Sequence, residues 1–355
     1  MLEETPIGRI RAGVRRAHRE RSGFAEASGG GLFAVNRDLA RAEADEANAW
    51  ANLRRAAFGD GWLDASLSYF ARDEISASPA IPAGVFDASP ATESDTQFRR
   101  VQANASASFD VTDKIGVSSG VDVQVEEGER TGAVDLGFAV LPSAYELDRV
   151  VGAVFAEGRY RVGDGLDLSA AARVDDPDDG EARASGRVSL AYEAPGGVLL
   201  RASWANGHKL PSFYALGDTL VGNPTLKVEL SETTELSAQK AFGALSLHAT
   251  AFSSRYRDLI DFDFTTFKLV NRARARVDGV ELSARFQPSD ALLLNVHATF
   301  TDIDVGGSEA GLLNRPEAYG GALVEWRPNA DWTLQANLQV VGARGGSSIP
   351  PAFAL

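Results

Sequence analysis

The chain has no cysteine and a single methionine. Without cysteine there is no disulfide framework, no thiolate nucleophile and no sulfur-ligated metal. Positive charge is also scarce. There are 35 Lys and Arg against 49 Asp and Glu, a formal charge of −14, which argues against a nucleic-acid partner. No apolar run approaches the ~18 residues of a membrane helix. The opening residues, Met1-Leu2-Glu3-Glu4-Thr5-Pro6, lack the basic and apolar regions of a signal peptide. Enzyme signatures are missing too: there is no G-x-S-x-G elbow, phosphate loop or dinucleotide fingerprint. The four histidines, His18, His208, His248 and His297, have no metal-ligand spacing.

What is present is alternation. Leu63, Ala65, Leu67, Tyr69 and Ala71 interleave with Asp64, Ser66, Ser68 and Arg72. Val101 to Phe109, Ile115 to Val125, Leu166 to Val174, Leu292 to Phe300 and Trp332 to Val340 repeat the pattern. A period of two specifies strand, not helix. About 15 strands are legible in this way, most of about 9–13 residues, against ~5–6 in soluble sheets. Such strands can cross a ~25–30 Å apolar layer at a tilt. Short turns such as Gly59-Asp60-Gly61 and Gly163-Asp164-Gly165 alternate with long polar loops, as in a barrel with one tight rim and one loop-bearing rim. Aromatics gather near the short turns: Phe58, Trp62, Phe109, Tyr160, Tyr192, Phe242, Phe286, Trp326 and Trp332. They read as an interfacial girdle, or as staples of hairpin ends.

The densest pattern runs from Gly207 to Leu282. Gly207-His208-Lys209-Leu210-Pro211-Ser212 is followed by Gly222-Asn223-Pro224-Thr225-Leu226-Lys227-Val228-Glu229. Then come Asp258-Leu259-Ile260, Val270-Asn271 and Asp278-Gly279-Val280-Glu281. In this order the fragments resemble the barrel of TonB-dependent outer-membrane receptors, most clearly those for cobalamin and catecholate siderophores. His208 stands where that family usually has an aromatic. The resemblance implies an all-β, antiparallel transmembrane β-barrel with short periplasmic turns and long extracellular loops. It implies a bacterial outer-membrane receptor for a scarce large ligand (a ferric siderophore, cobalamin or haem), worked by the TonB complex, with no catalysis and no cofactor. It also implies a plug domain and a TonB box ahead of a barrel of ~22 strands. Neither is legible here, so residues 1–355 read as a partial barrel, truncated at both ends.

Three charged features suggest contacts. Arg272, Arg274 and Arg276 share the face of Val280, Leu282 and Phe286, and would meet lipopolysaccharide phosphates above the apolar band, or form a solvated strand end. The acidic run Asp175 to Asp179 would hold Ca²⁺ or be a solvated turn. Arg9, Arg11 and Arg15 would point into the lumen. His248 and His297, on polar faces, admit a lumenal Ser/His site, although polar residues are ordinary there. Two other classes stay open: a passive porin-like channel, and a soluble β-rich adhesin or scaffold.

Overall fold

The computed structural model describes residues 3–5, 8–25, 37–57, 59–82, 88–163, 165–263, 265–306, 316–342 and 352–354. Eighteen strand segments lie among them. The first half contains β1 (Glu3–Thr5), β2 (Gly8–Phe24), β3 (Leu39–Ala57), β4 (Gly61–Ser78), β5 (Ala91–Thr112), β6 (Ile115–Asp135), β7 (Val140–Pro142), β8 (Tyr145–Gly163) and β9 (Leu166–Pro177). The second contains β10 (Arg183–Ala194), β11 (Val198–Lys209), α1 (Phe213–Gly217), β12 (Glu229–Phe242), β13 (Leu245–Asp263), β14 (Lys268–Ser289), β15 (Leu292–Gly306), β16 (Ala318–Asn329), β17 (Trp332–Val341) and β18 (Ala352–Ala354). The long strands pair antiparallel, each with the next in chain order. β7 is a short flap on β6. Among the described residues the result is one up-and-down sheet that is not closed on itself.

The two faces differ as the alternation demands. Val121 is opposite Val154, and Val154 opposite Val174; these side chains are 50%, 56% and 41% exposed. The same outward row includes Leu236, Leu282, Val296 and Phe300, all exposed. Among the described residues no side chain is fully buried, so no second layer covers the apolar rows. An apolar face this large is unsuited to water and suited to lipid, where ladder hydrogen bonding also satisfies the backbone. The opposite face carries Asp122, Gln124, Thr233, Ser254 and Thr299, and the α1 segment folds back onto it. It is the lumenal face of a barrel wall. Arg9, Arg11 and Arg15 lie on it, offset by one residue from exposed Val14. Among the described residues no helix is long and apolar enough to cross a membrane.

Two expectations change. Of the fifteen principal strands, β9, β10, β11, β16 and β17 run 10 to 12 residues as expected, and the other ten run 14 to 22, longer than expected. Segments read as long loops are strands that continue above the apolar band with polar residues on both faces. β13 reaches Asp263 and β14 resumes at Lys268, within the stretch expected to loop from Asp258 to Val270. The girdle also loses a member. Phe109, Tyr160, Tyr192, Phe242, Phe286, Trp326 and Trp332 keep to the outward row. Trp62 is one residue off the Leu63–Tyr69 row, so it turns to the lumen, where Arg54 stacks on its ring at 5.6 Å and pairs with Asp64 at 2.7 Å. Phe58 lies outside the described residues.

Candidate ligand-binding site

A lumenal pocket of about 700 Å³ opens at the loop-bearing end, against β5, β6, β8, β9, β10 and β11. Its roof is the segment between β11 and β12, which carries most of the motif. Ser212 caps α1: its hydroxyl accepts from the Ala215 N–H at 3.1 Å, and its carbonyl accepts from Leu216 at 3.0 Å. Such a cap is worth about 1 kcal/mol. Phe213 is buried and lies over Gly128 of β6, where an added Cβ would meet the ring at 2.4 Å. Phe98 adjoins it, with ring centroids 6.5 Å apart.

Arg149 of β8 fastens the roof to the wall. Its side chain is only 5% exposed. Nε donates to Asp179 at 2.8 Å, Nη2 donates to the Pro211 carbonyl at 3.0 Å, and the guanidinium stacks on Phe213 at 5.0 Å. A buried cation persists only when paired this fully. Asp218 ends α1, accepting from the Ser143 hydroxyl at 2.6 Å and from the N–H groups of Leu220 and Val221 at 2.9 Å each. The next turn brings Gly222 so close to Asp218 that a Cβ would sit 2.4 Å from its carbonyl oxygen.

The remaining motif residues hold this loop in place. Asn223 donates to the Leu269 carbonyl at 2.9 Å, and its own side-chain oxygen accepts from Thr225. Asn271 accepts from Lys227 N–H at 2.7 Å and donates to the carbonyls of Lys227 and Asp258. Asp258 occupies the left-handed region, φ 57°, at a bulge where β13 slips against β14. Glu229 closes the set, accepting from Ile260 N–H at 2.9 Å and pairing with Lys209 at 2.9 Å. Gly279 makes room lower down, since a Cβ there would meet the Phe252 ring at 2.4 Å. Gly207 is opposite Ser231, Pro224 is exposed, Leu226 is half-buried, and Glu281 lies on the lumenal face. The motif is therefore a hydrogen-bonded latch, and only Gly207, Pro211 and Ser212 of its assigned residues reach the pocket itself.

Inside the pocket, Arg173 bridges Asp175 at 2.8 Å and Asp122 at 3.4 Å. The ladder between β10 and β11 ends at Gly186–Asn206, and beyond it the His208 ring lies 3.7 Å from Asp175. His208 Nδ1 is buried without a hydrogen-bond partner. Burial pushes the phenols of Tyr145 and Tyr214 above their ordinary range, so both stay neutral donors at physiological pH. Aromatic walls, neutral hydroxyls, guanidiniums and carboxylates together suit a ring-bearing polar ligand, and the volume falls in the range of small-molecule sites. Sequence reasoning missed Arg149, Arg173, Tyr145 and Tyr214. Arg149 and Arg173 stand at lumenal parity in strands that carry other charged residues, so the sequence did not set them apart.

The acidic run is occupied: Asp175 pairs with Arg173, Asp178 accepts from Val150 N–H, and Asp179 pairs with Arg149. Among the described residues the one group with metal-binding proximity is His18, Glu20 and Glu43, all exposed. His248 and His297 flank Ser283 across adjacent ladders, and no hydrogen bond joins that serine to either. Arg272 is engaged by Asp261 at 2.8 Å and Asp263 at 3.6 Å.

A single-layer antiparallel sheet with an exposed apolar face, a polar lumenal face and a roofed lumenal pocket defines an outer-membrane β-barrel wall. Residues 10–352 match the family described as TonB dependent receptor-like, beta-barrel, and the chain belongs to that family. Its place is the outer membrane. Solved structures share the fold at low identity. The ferripyoverdine receptor of Pseudomonas aeruginosa aligns with a TM-score of 0.76 and 12% identity, covering 96% of this chain and 53% of the receptor. The ferric yersiniabactin uptake receptor of Yersinia pestis gives 0.72 and 14%, covering 94% and 56%. The ferric-catecholate import receptor of E. coli K12 gives 0.73 and 11%, covering 98% and 65%. The chain thus spans between half and two thirds of these receptors' length.

Proposed function

We propose that this chain is the barrel wall of a TonB-dependent receptor that takes up a scarce, large metal chelate, in the class of ferric siderophore, cobalamin or haem. The observation that carries the reading is the aromatic-lined lumenal pocket beneath α1, walled by six strands and roofed by the motif-bearing segment. Family membership and the likeness to three receptors of ferric chelates support it. The partners implied are the chelate, the TonB complex and lipopolysaccharide in the surrounding leaflet. The protein does no covalent chemistry; its residues bind and orient.

The test uses the full chain refolded in detergent. Ferric catecholate, ferric hydroxamate, haemin and cyanocobalamin are titrated against tryptophan fluorescence. One of the four should saturate, and Arg149→Ala should weaken it at least tenfold by freeing the roof. Saturation by none, with ligand-independent conductance in planar bilayers, would instead make the chain a passive channel.

A further inference from the structure

Above the apolar band, the outward face becomes polar and its charge is unevenly distributed. On β3, β4, β6 and β8 it is dominated by carboxylates, among them Glu43, Asp45, Asp73, Glu127 and Asp148. On β13 and β14 it carries four exposed arginines, Arg255, Arg257, Arg274 and Arg276. They share the outward face with Val280 and Leu282, and Arg276 stands four residues, about 13 Å along the strand, above Val280. Arg255 and Arg276 are direct cross-strand partners. Like charges opposed in register repel, so this placement depends on anionic neighbours. Glu232 and Asp304 are the next cross-strand neighbours, and Arg276 bonds Asp278 at 2.8 Å. Among the described residues neither Arg257 nor Arg274 forms an ion pair. The four line a recess of about 430 Å³.

We propose that Arg255, Arg257, Arg274 and Arg276 hold the phosphates of lipid A, with its acyl chains running down over Val280, Leu282 and the apolar rows beside them. Guanidinium forks match phosphate oxygens in pairs, and a bisphosphorylated headgroup satisfies the opposed arginines and the two unpaired ones together. Arg272 is left out because Asp261 and Asp263 already hold it. The assignment rests on the membrane-barrel reading and is independent of which chelate the lumen takes.

The experiment refolds the full chain and titrates bisphosphorylated and dephosphorylated lipid A, with pyrophosphate as competitor, following retention by native mass spectrometry. The wild type should retain the bisphosphorylated form, lose the dephosphorylated form and be indifferent to pyrophosphate. The Arg255→Gln, Arg257→Gln, Arg274→Gln, Arg276→Gln variant should bind at least tenfold more weakly. The milder Arg257→Gln, Arg274→Gln pair should fall between, and Arg272→Gln should match the wild type. Heat-modifiable migration of every variant checks that the barrel still forms. Equal retention by the fourfold variant overturns the site. Equal loss in Arg272→Gln does so as well, and effective competition by pyrophosphate overturns the lipid as occupant. Wild-type protein that shows no heat-modifiable form overturns the barrel reading beneath it.

Discussion

Asn271 makes three hydrogen bonds with one amide, two to Lys227 and one to the left-handed Asp258. Truncation would remove all three bonds from a partly exposed extracellular loop, each worth about 0.5–1.5 kcal/mol. Asn271→Ala should therefore speed proteolytic cleavage within residues 210–228 several-fold while leaving the strands protected. An unchanged cleavage rate would mean the latch is held elsewhere. The spacing of these fragments was legible in the sequence, but their roles were not. Asn271 acts on a residue 44 positions earlier, and Arg149 on one 62 positions later. Such partners meet only once sheet register is fixed, and one strand's alternation does not reveal register.

Strands were the legible element. Period-two rows such as Val121, Val123 and Val125 place the exposed face correctly, because side-chain direction in a strand depends only on parity. Strand length was not legible, since polar residues on both faces of a projecting hairpin look the same as loop. Trp62 shows a second limit: its aromatic character suggested an interface, but parity, the stronger rule, sends it inward. Parity makes a paired prediction. Val123→Arg puts a charge on the lipid face and should cost about 2–4 kcal/mol near the bilayer midplane. Gln124→Arg, one residue on, meets the lumen and should change stability by well under 1 kcal/mol. Denaturant titration of vesicle-inserted protein would read both, and equal costs would place the two side chains in the same medium.

At the scale of the whole molecule, the fold class was legible because a membrane barrel exposes its apolar pattern as a repeat across the chain. The pocket was not, because it is assembled from six strands and a returning loop. The assignment as a whole depends on the outward rows contacting acyl chains. A cysteine-free chain allows this to be measured directly, by placing single spin-labelled cysteines at each position from Leu293 to Ala298 in vesicle-inserted protein. Labels at Leu294, Val296 and Ala298 should collide readily with oxygen and rarely with a water-soluble nickel complex. Labels at Leu293, Asn295 and His297 should show the reverse, a strict period of two. Labels on the even row shielded from both reagents, as inside a protein core, would contradict the account.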